Sequence, residues 1–157
     1  MLAACQRAPE MAYVDTANPF LISTVEAFRL SAADAAAKAD VTALANHVFL
    51  IKRSLPTAWV AVVDSSGTVL MDSDPKEISA VLTDSLSLES LAYADRTRPL
   101  IRRLWADDHR PVLDITMPVI IGSSNTARPG GYVRVGFYSG GAAQSWAAPR
   151  GGGPGSP

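Results

Sequence analysis

The chain has 157 residues, 48% of them apolar, and its 14 lysines and arginines nearly cancel its 15 aspartates and glutamates. That is enough apolar material for one domain with its own core, and it leaves no net field to draw nucleic acid or an anionic membrane surface. Two histidines and a single cysteine exclude most zinc sites and any intramolecular disulfide.

At the start, LAAC (residues 2–5) matches the small-residue pattern that precedes a lipid-modified cysteine. A signal peptide needs basic and apolar regions before that point, and Cys5 follows too few residues to supply them. Residues 1–17 are expected to form a poorly ordered lead-in. No run of eighteen apolar residues occurs, so no membrane-spanning helix is expected.

Residues 18–55 read as helix, with Phe20, Leu21, Val25 and Phe28, and later Leu44, Val48, Ile51 and Leu55, at helical spacing. The stretch between, SAADAAAKAD, favours helix but offers little to anchor it in a core. One long helix is expected, with a possible break near Asp40, where DVTA is able to cap a second one; Pro56 ends it.

The period then changes to two. AWVAVVD and TVLMDS read as an antiparallel hairpin around SSGT, where Gly67 supplies the positive φ of a tight turn. Residues 74–99 have turn and cap residues and read as a loop with short helices, 87–94 being the best helical stretch. Three strands follow, LIRRLW, PVLDITMPVII and YVRVGFY, joined by the polar or Pro/Gly-containing connections ADDHR and GSSNTARPGG. The last stretch, 140–157, is filled with Gly and Pro and reads as a disordered tail in which only Trp146 offers an anchor.

Five antiparallel strands with helices grouped elsewhere make an α+β domain over 18–139. A long N-terminal helix on one face of the sheet and a short helical excursion on the other leave a hollow suited to a small molecule.

The segments AVVDSSGTVLMDSDP, LTDSLSLESLA, LDITMPV and GGYVRVGFYSG, in that order and at those separations, resemble the extracytoplasmic PAS-like sensor domains called Cache or PDC domains. The resemblance covers 18–139 and implies a PAS-like five-stranded antiparallel sheet. It further implies a ligand-binding sensor in a bacterial signal-transduction receptor, held to the membrane only by flanking segments that this sequence does not contain. Family members commonly pair through the N-terminal helix, so a homodimer is expected. The tyrosine, arginine, tryptophan and aspartate signature of the amino-acid-binding subgroup is not present in its usual order, so that ligand class is not implied.

Alternation puts Leu113, Ile115, Met117 and Val119 on one side of their strand and Asp114, Thr116 and Pro118 on the other. It likewise opposes Val133, Val135 and Phe137 to Tyr132, Arg134 and Gly136. The mixed sets are expected to face the excursion and the ligand. Arg134 is suited to clamp a carboxylate, or to pair with Asp114 across the sheet; Gly136 makes room either for a ligand or for close packing. Of Arg102 and Arg103 only one can face inward; in the resembled family this strand borders the cavity, so Arg102 is a second anion contact, against the alternative of a solvated edge strand. Tyr93 is placed to close over a ligand, or lies on the surface, and Trp59 lines the cavity or fills the core.

Asp72 and Asp74 are read as turn and cap residues or as a pocket rim, Asp74 preceding Pro75 at a helix start, and not as the paired acids of a hydrolase. His47 reads as a packed helix residue. His109, with Asp107 and Asp108, reads as a polar hairpin tip with at most weak cation affinity. Cys5 has no neighbouring base to make it a nucleophile, and with no Ser-His-Asp context, metal cluster or phosphate loop, no enzyme activity, cofactor or metal is expected. The alternative to a sensor is a non-binding dimerisation or scaffold module built on the alanine-rich helix.

Overall fold

The computed structural model describes residues 12–13, 17–93 and 98–139. In chain order it contains β1 (Ala12–Tyr13), α1 (Pro19–Ala37), α2 (Val41–Ser54), β2 (Thr57–Val63), β3 (Val69–Asp72), a 3-10 turn (Pro75–Glu77), α3 (Ser85–Ala92), β4 (Leu100–Trp105), β5 (Pro111–Ile121) and β6 (Arg128–Tyr138). The expected lead-in and tail, with Cys5 and Trp146, lie outside the described residues, apart from β1 and Ala17.

The helical region is two helices. Asn18 caps α1 by accepting from the Phe20 N–H at 2.8 Å, with Pro19 at the first helical position. At the other end the Asp40 N–H reaches the Ala35 carbonyl at 2.8 Å and the Ala39 N–H reaches that of Ala36 at 3.1 Å. This is the paired closure of a Schellman turn, and it forces Ala39 to φ 53°. Asp40 then caps α2 through the Ala43 N–H at 2.9 Å. The break therefore falls where DVTA suggested it.

Both helices cover one face of the sheet. Leu21, Val25, Phe28, Ala32 and Ala35 of α1 and Leu44, Val48 and Ile51 of α2 join Val60, Val62, Ile115, Met117, Val133, Val135 and Phe137 in one buried cluster. The alanine-rich stretch is anchored after all: Ala32 and Ala35 sit within that cluster, so the small residues serve close helix-to-sheet packing.

All strand pairs are antiparallel, in the order β1-β4-β5-β6-β2-β3. The first hairpin and the C-terminal meander thus form one PAS-like five-stranded sheet joined through β2 and β6, with the two residues of β1 covering part of the β4 edge. Gly67 turns the first hairpin at φ 85°. The opposite face carries a second cluster, including Trp59, Ala61, Val63, Leu82, Leu86 and Tyr132, under α3. The third helix starts two residues earlier than its best sequence stretch, because Asp84 caps it by accepting from the Ser87 N–H at 3.0 Å.

A non-glycine residue in the left-handed region carries about 1 kcal/mol of strain. Ala39→Gly relieves it at an exposed position. The variant should gain about 1 kcal/mol, seen as a higher urea midpoint at unchanged slope. An equal or lower midpoint would show that the turn stores no strain.

Candidate functional site

The face under α3 is organised by rows of paired residues. One row crosses four strands: Trp59 opposite Gly136, Gly136 opposite Asp114, and Asp114 opposite Arg102. Residues paired in this way point to the same face, so a tryptophan, an aspartate and an arginine stand in line with a gap at glycine. The Trp59 indole fills that gap. A Cβ on Gly136 would lie 2.4 Å from the indole. The ring therefore crosses β6, and its Nε1–H donates to Asp114 Oδ1 at 2.8 Å. Gly136 makes room for a side chain of the protein itself, and Trp59 belongs to the site as well as to the core.

Asp114 takes charge from both sides. Arg134 Nε donates to Oδ1 at 2.7 Å, while Arg102 Nε and Nη2 donate to Oδ2 at 3.1 and 2.8 Å. All three side chains are 0% exposed. Burial pushes the Asp114 carboxyl pKa up, but the two guanidiniums and the indole N–H more than offset it and hold it below the ordinary carboxylate range. Glu89, partly exposed on α3, pairs with Arg102 at 2.9 Å and brings the local charge to balance.

Arg102 is the bolt between sheet and helix. Its Nη1 donates to the Leu86 carbonyl at 3.1 Å and to Glu89 Oε2 at 2.9 Å; its Nη2 also donates to Ser90 Oγ at 2.7 Å and Thr116 Oγ1 at 3.2 Å. Three of these acceptors lie on α3. The edge-strand alternative is overturned for Arg102, which faces inward, whereas Arg103 is exposed. Arg102 is also committed to the protein, and a ligand reaches it only by displacing one of these acceptors.

The remaining expected contacts divide. Tyr132, beside Arg134 on β6, is buried, its hydroxyl next to that of Ser87, which donates to Asp84 Oδ2 at 2.6 Å. Burial raises its pKa. Asp74 is half-exposed and caps the 3-10 turn through the Lys76 N–H at 3.1 Å. Tyr93 donates to the Arg98 carbonyl at 2.8 Å and, away from the Asp114 cluster, lines a hollow of about 280 Å³ with Ser65, Leu91, Pro118, Ile120 and Gly131. His47 borders an apolar groove of about 410 Å³ between α1 and α2, and His109 takes φ 62° at its hairpin tip.

Sequence reasoning undervalued Asp72. It pairs with Ala61 at the end of β3, faces the same side as Arg134, and is 3% exposed. Oδ1 accepts from the Asp74 N–H at 2.7 Å, while Oδ2 is buried without a partner. Burial raises its pKa to about 6, and Glu77 and Asp74 add to the rise. The chain bends at Ser73, so Asp74 leaves the sheet and Asp72 alone stays inside. Its strand position next to buried Met71 gave no warning, because a bulge between Val62 and Val63 shifts the register there.

Among the described residues there is no group of three His, Cys, Asp or Glu side chains placed to hold a metal ion, and no helix long and apolar enough to cross a membrane. No family model matches the chain, and no curated protein matches it. Among solved structures it is similar to an extracellular ligand binding receptor from Desulfohalobium retbaense, at 12% identity and a TM-score of 0.42 over 78% of this chain. The match spans 26% of that receptor's chain.

Two predictions follow from the charges. Removing Asp114 as Asp114→Ala strands two buried arginines and should cost roughly 3–5 kcal/mol in urea unfolding; a loss under 1 kcal/mol would mean the cluster is not dry. For Asp72 the folded pKa lies above the unfolded value of 3.8. Its contribution is fully present below about pH 4 and is lost as pH rises to about 6, a loss of roughly 3 kcal/mol. Asp72→Asn should match the wild type near pH 4 and exceed it in stability by that order above pH 6.5. Parallel stability curves for the two proteins would show that the carboxyl is not perturbed.

Proposed function

We propose that this chain is a Cache-type, PAS-like sensor domain of a bacterial signal-transduction receptor, working outside the cytoplasm. It binds a small polar or anionic metabolite between the sheet and α3 and performs no chemistry on it. The observation that carries the reading is the buried Arg102–Asp114–Arg134 cluster at the middle of the sheet's front, with α3 fastened to it through Arg102. A buried ion cluster is a poor way to gain stability compared with apolar packing. It is a good way to couple a bound charge to a movable helix. A ligand anion at Arg134 competes with Asp114 for that guanidinium, which changes the hold of Asp114 on Arg102 and hence the seat of α3. The bound and empty packings are then two states whose balance the ligand shifts.

A second reading, a dimerisation or scaffold module, draws on the outer helical face. Phe20 and Leu50 are 57% and 62% exposed beside the groove between α1 and α2. The two readings are compatible, since the groove and the charged cluster lie on opposite sides of the sheet.

Thermal unfolding across a panel of organic acids, amines and nucleotides tests the sensor reading. A ligand at one hundred times its Kd adds about 2.7 kcal/mol, and Arg134→Met should remove the response. A panel with no stabiliser, combined with a stable dimer by light scattering, would favour the scaffold.

A further inference from the structure

The back of the molecule has a seam that its own core leaves open. The first helix, α1, packs on β5 and β6, and α2 packs on β2 and β3. The line between the helices therefore runs above β6 and β2, which are neighbours in the sheet. Along that line lies the apolar groove of about 410 Å³, where buried Phe28 and Ile51 meet exposed Phe20 and Leu50. An exposed apolar surface of this kind marks a place where something docks. The hydroxyl oxygens of Thr24 and Ser54, also along the groove, are acceptors of the sort a buried indole N–H needs.

The two ends of the chain differ in their access to this groove. Residues 1–11 precede β1, which pairs with β4 at the edge of the sheet opposite β2 and β3, where α2 sits. Residues 140–157 follow β6, the strand beneath the seam. The end of that strand is tied to the end of the groove: the Tyr138 N–H donates to the Pro56 carbonyl at 3.0 Å, and Leu55, the residue before, lines the groove. Residues 140–157 lie outside the described residues; their sequence, GGAAQSWAAPRGGGPGSP, holds one large apolar side chain, Trp146. Small residues flank it, so the indole can enter a narrow site without its neighbours. Trp146 comes seven residues after Ser139, a reach of about 25 Å at full extension. From Phe20 to Ser31 the groove follows α1 for roughly 16 Å, so the tether is longer than the groove.

We propose that the groove between α1 and α2 is the docking site of the chain's own C-terminal stretch, with the Trp146 indole seated against Phe28 and Ile51 between Phe20 and Leu50. A short tether holds a segment near its site at an effective concentration of about millimolar. One aromatic side chain burying about 150–250 Å² is then enough to keep the groove occupied. The inference does not use the sensor reading. It gives the groove to the same chain, and a second copy gains this face only by displacing the tail.

The test uses the whole chain labelled with 5-fluorotryptophan, whose three tryptophans give three fluorine resonances. Trp146→Phe removes one line and so assigns it. In the wild type that line should stand away from free 5-fluorotryptophan at a position independent of protein concentration, and acrylamide should quench Trp146 several-fold more slowly than free tryptophan. Leu50→Lys, a change at an exposed position, should send the line to the free position and restore full quenching, while the Trp59 and Trp105 lines stay put and report an intact fold. Phe20→Ser should act in the same direction and serves if the lysine variant does not fold. A wild-type Trp146 line already at the free position would overturn the proposal. So would a shifted line indifferent to both groove variants, which would place the indole elsewhere. A line that moves on dilution, or a dimer by light scattering that Leu50→Lys dissociates while the Trp146 line stays unchanged, would give the groove to a second copy and end the assignment to the chain's own tail.

Discussion

The carboxylate of Asp114 sits between two arginines in the interior of the sheet's front, and the placement of α3 depends on it. Neither guanidinium would be tolerable there alone, since an unpaired buried charge is among the most expensive things a fold can contain. Asp114 solves this for both at once, with the Trp59 indole as a further donor. Arg102, held by that carboxylate, has donors left over for the Leu86 carbonyl, Glu89 and Ser90, and these set the helix on the sheet. The front of the molecule adds these directional bonds to its own apolar cluster.

The back is assembled differently. There α1 and α2 lie on an apolar surface of valines, isoleucine, methionine and phenylalanine, and the contact is one of shape and area. The two faces therefore answer differently to perturbation. Apolar packing yields gradually as area is lost, whereas the front cluster is either balanced or carries an uncompensated charge.

Within the front face Asp114 and Asp72 differ most in their surroundings. Both are aspartates on strands, both are buried, and both face the same side. One is held below the ordinary range by two arginines, and the other is pushed up to about 6 by burial. The first is finished as a structural element. The second keeps one oxygen buried without a hydrogen bond.

Local pattern in the sequence determined a good deal of this. Alternation sorted Ile115, Met117 and Val119 from Asp114 and Thr116, and Val133, Val135 and Phe137 from Tyr132 and Arg134, because a strand allows only two directions for a side chain. Capping chemistry marked the helix break at Asp40, and a glycine marked the first turn. What tertiary structure alone decided were the facts that depend on register between distant strands. Trp59 meets Asp114 across 55 residues of chain because Gly136 lies between them in the ladder. Arg102 turns inward and is used up by α3, and Asp72 stays in the sheet while Asp74 leaves it. Sequence periodicity states which face a residue takes along its own strand; only the pairing of strands states which residues share a row, and the chemistry of this site is a property of rows.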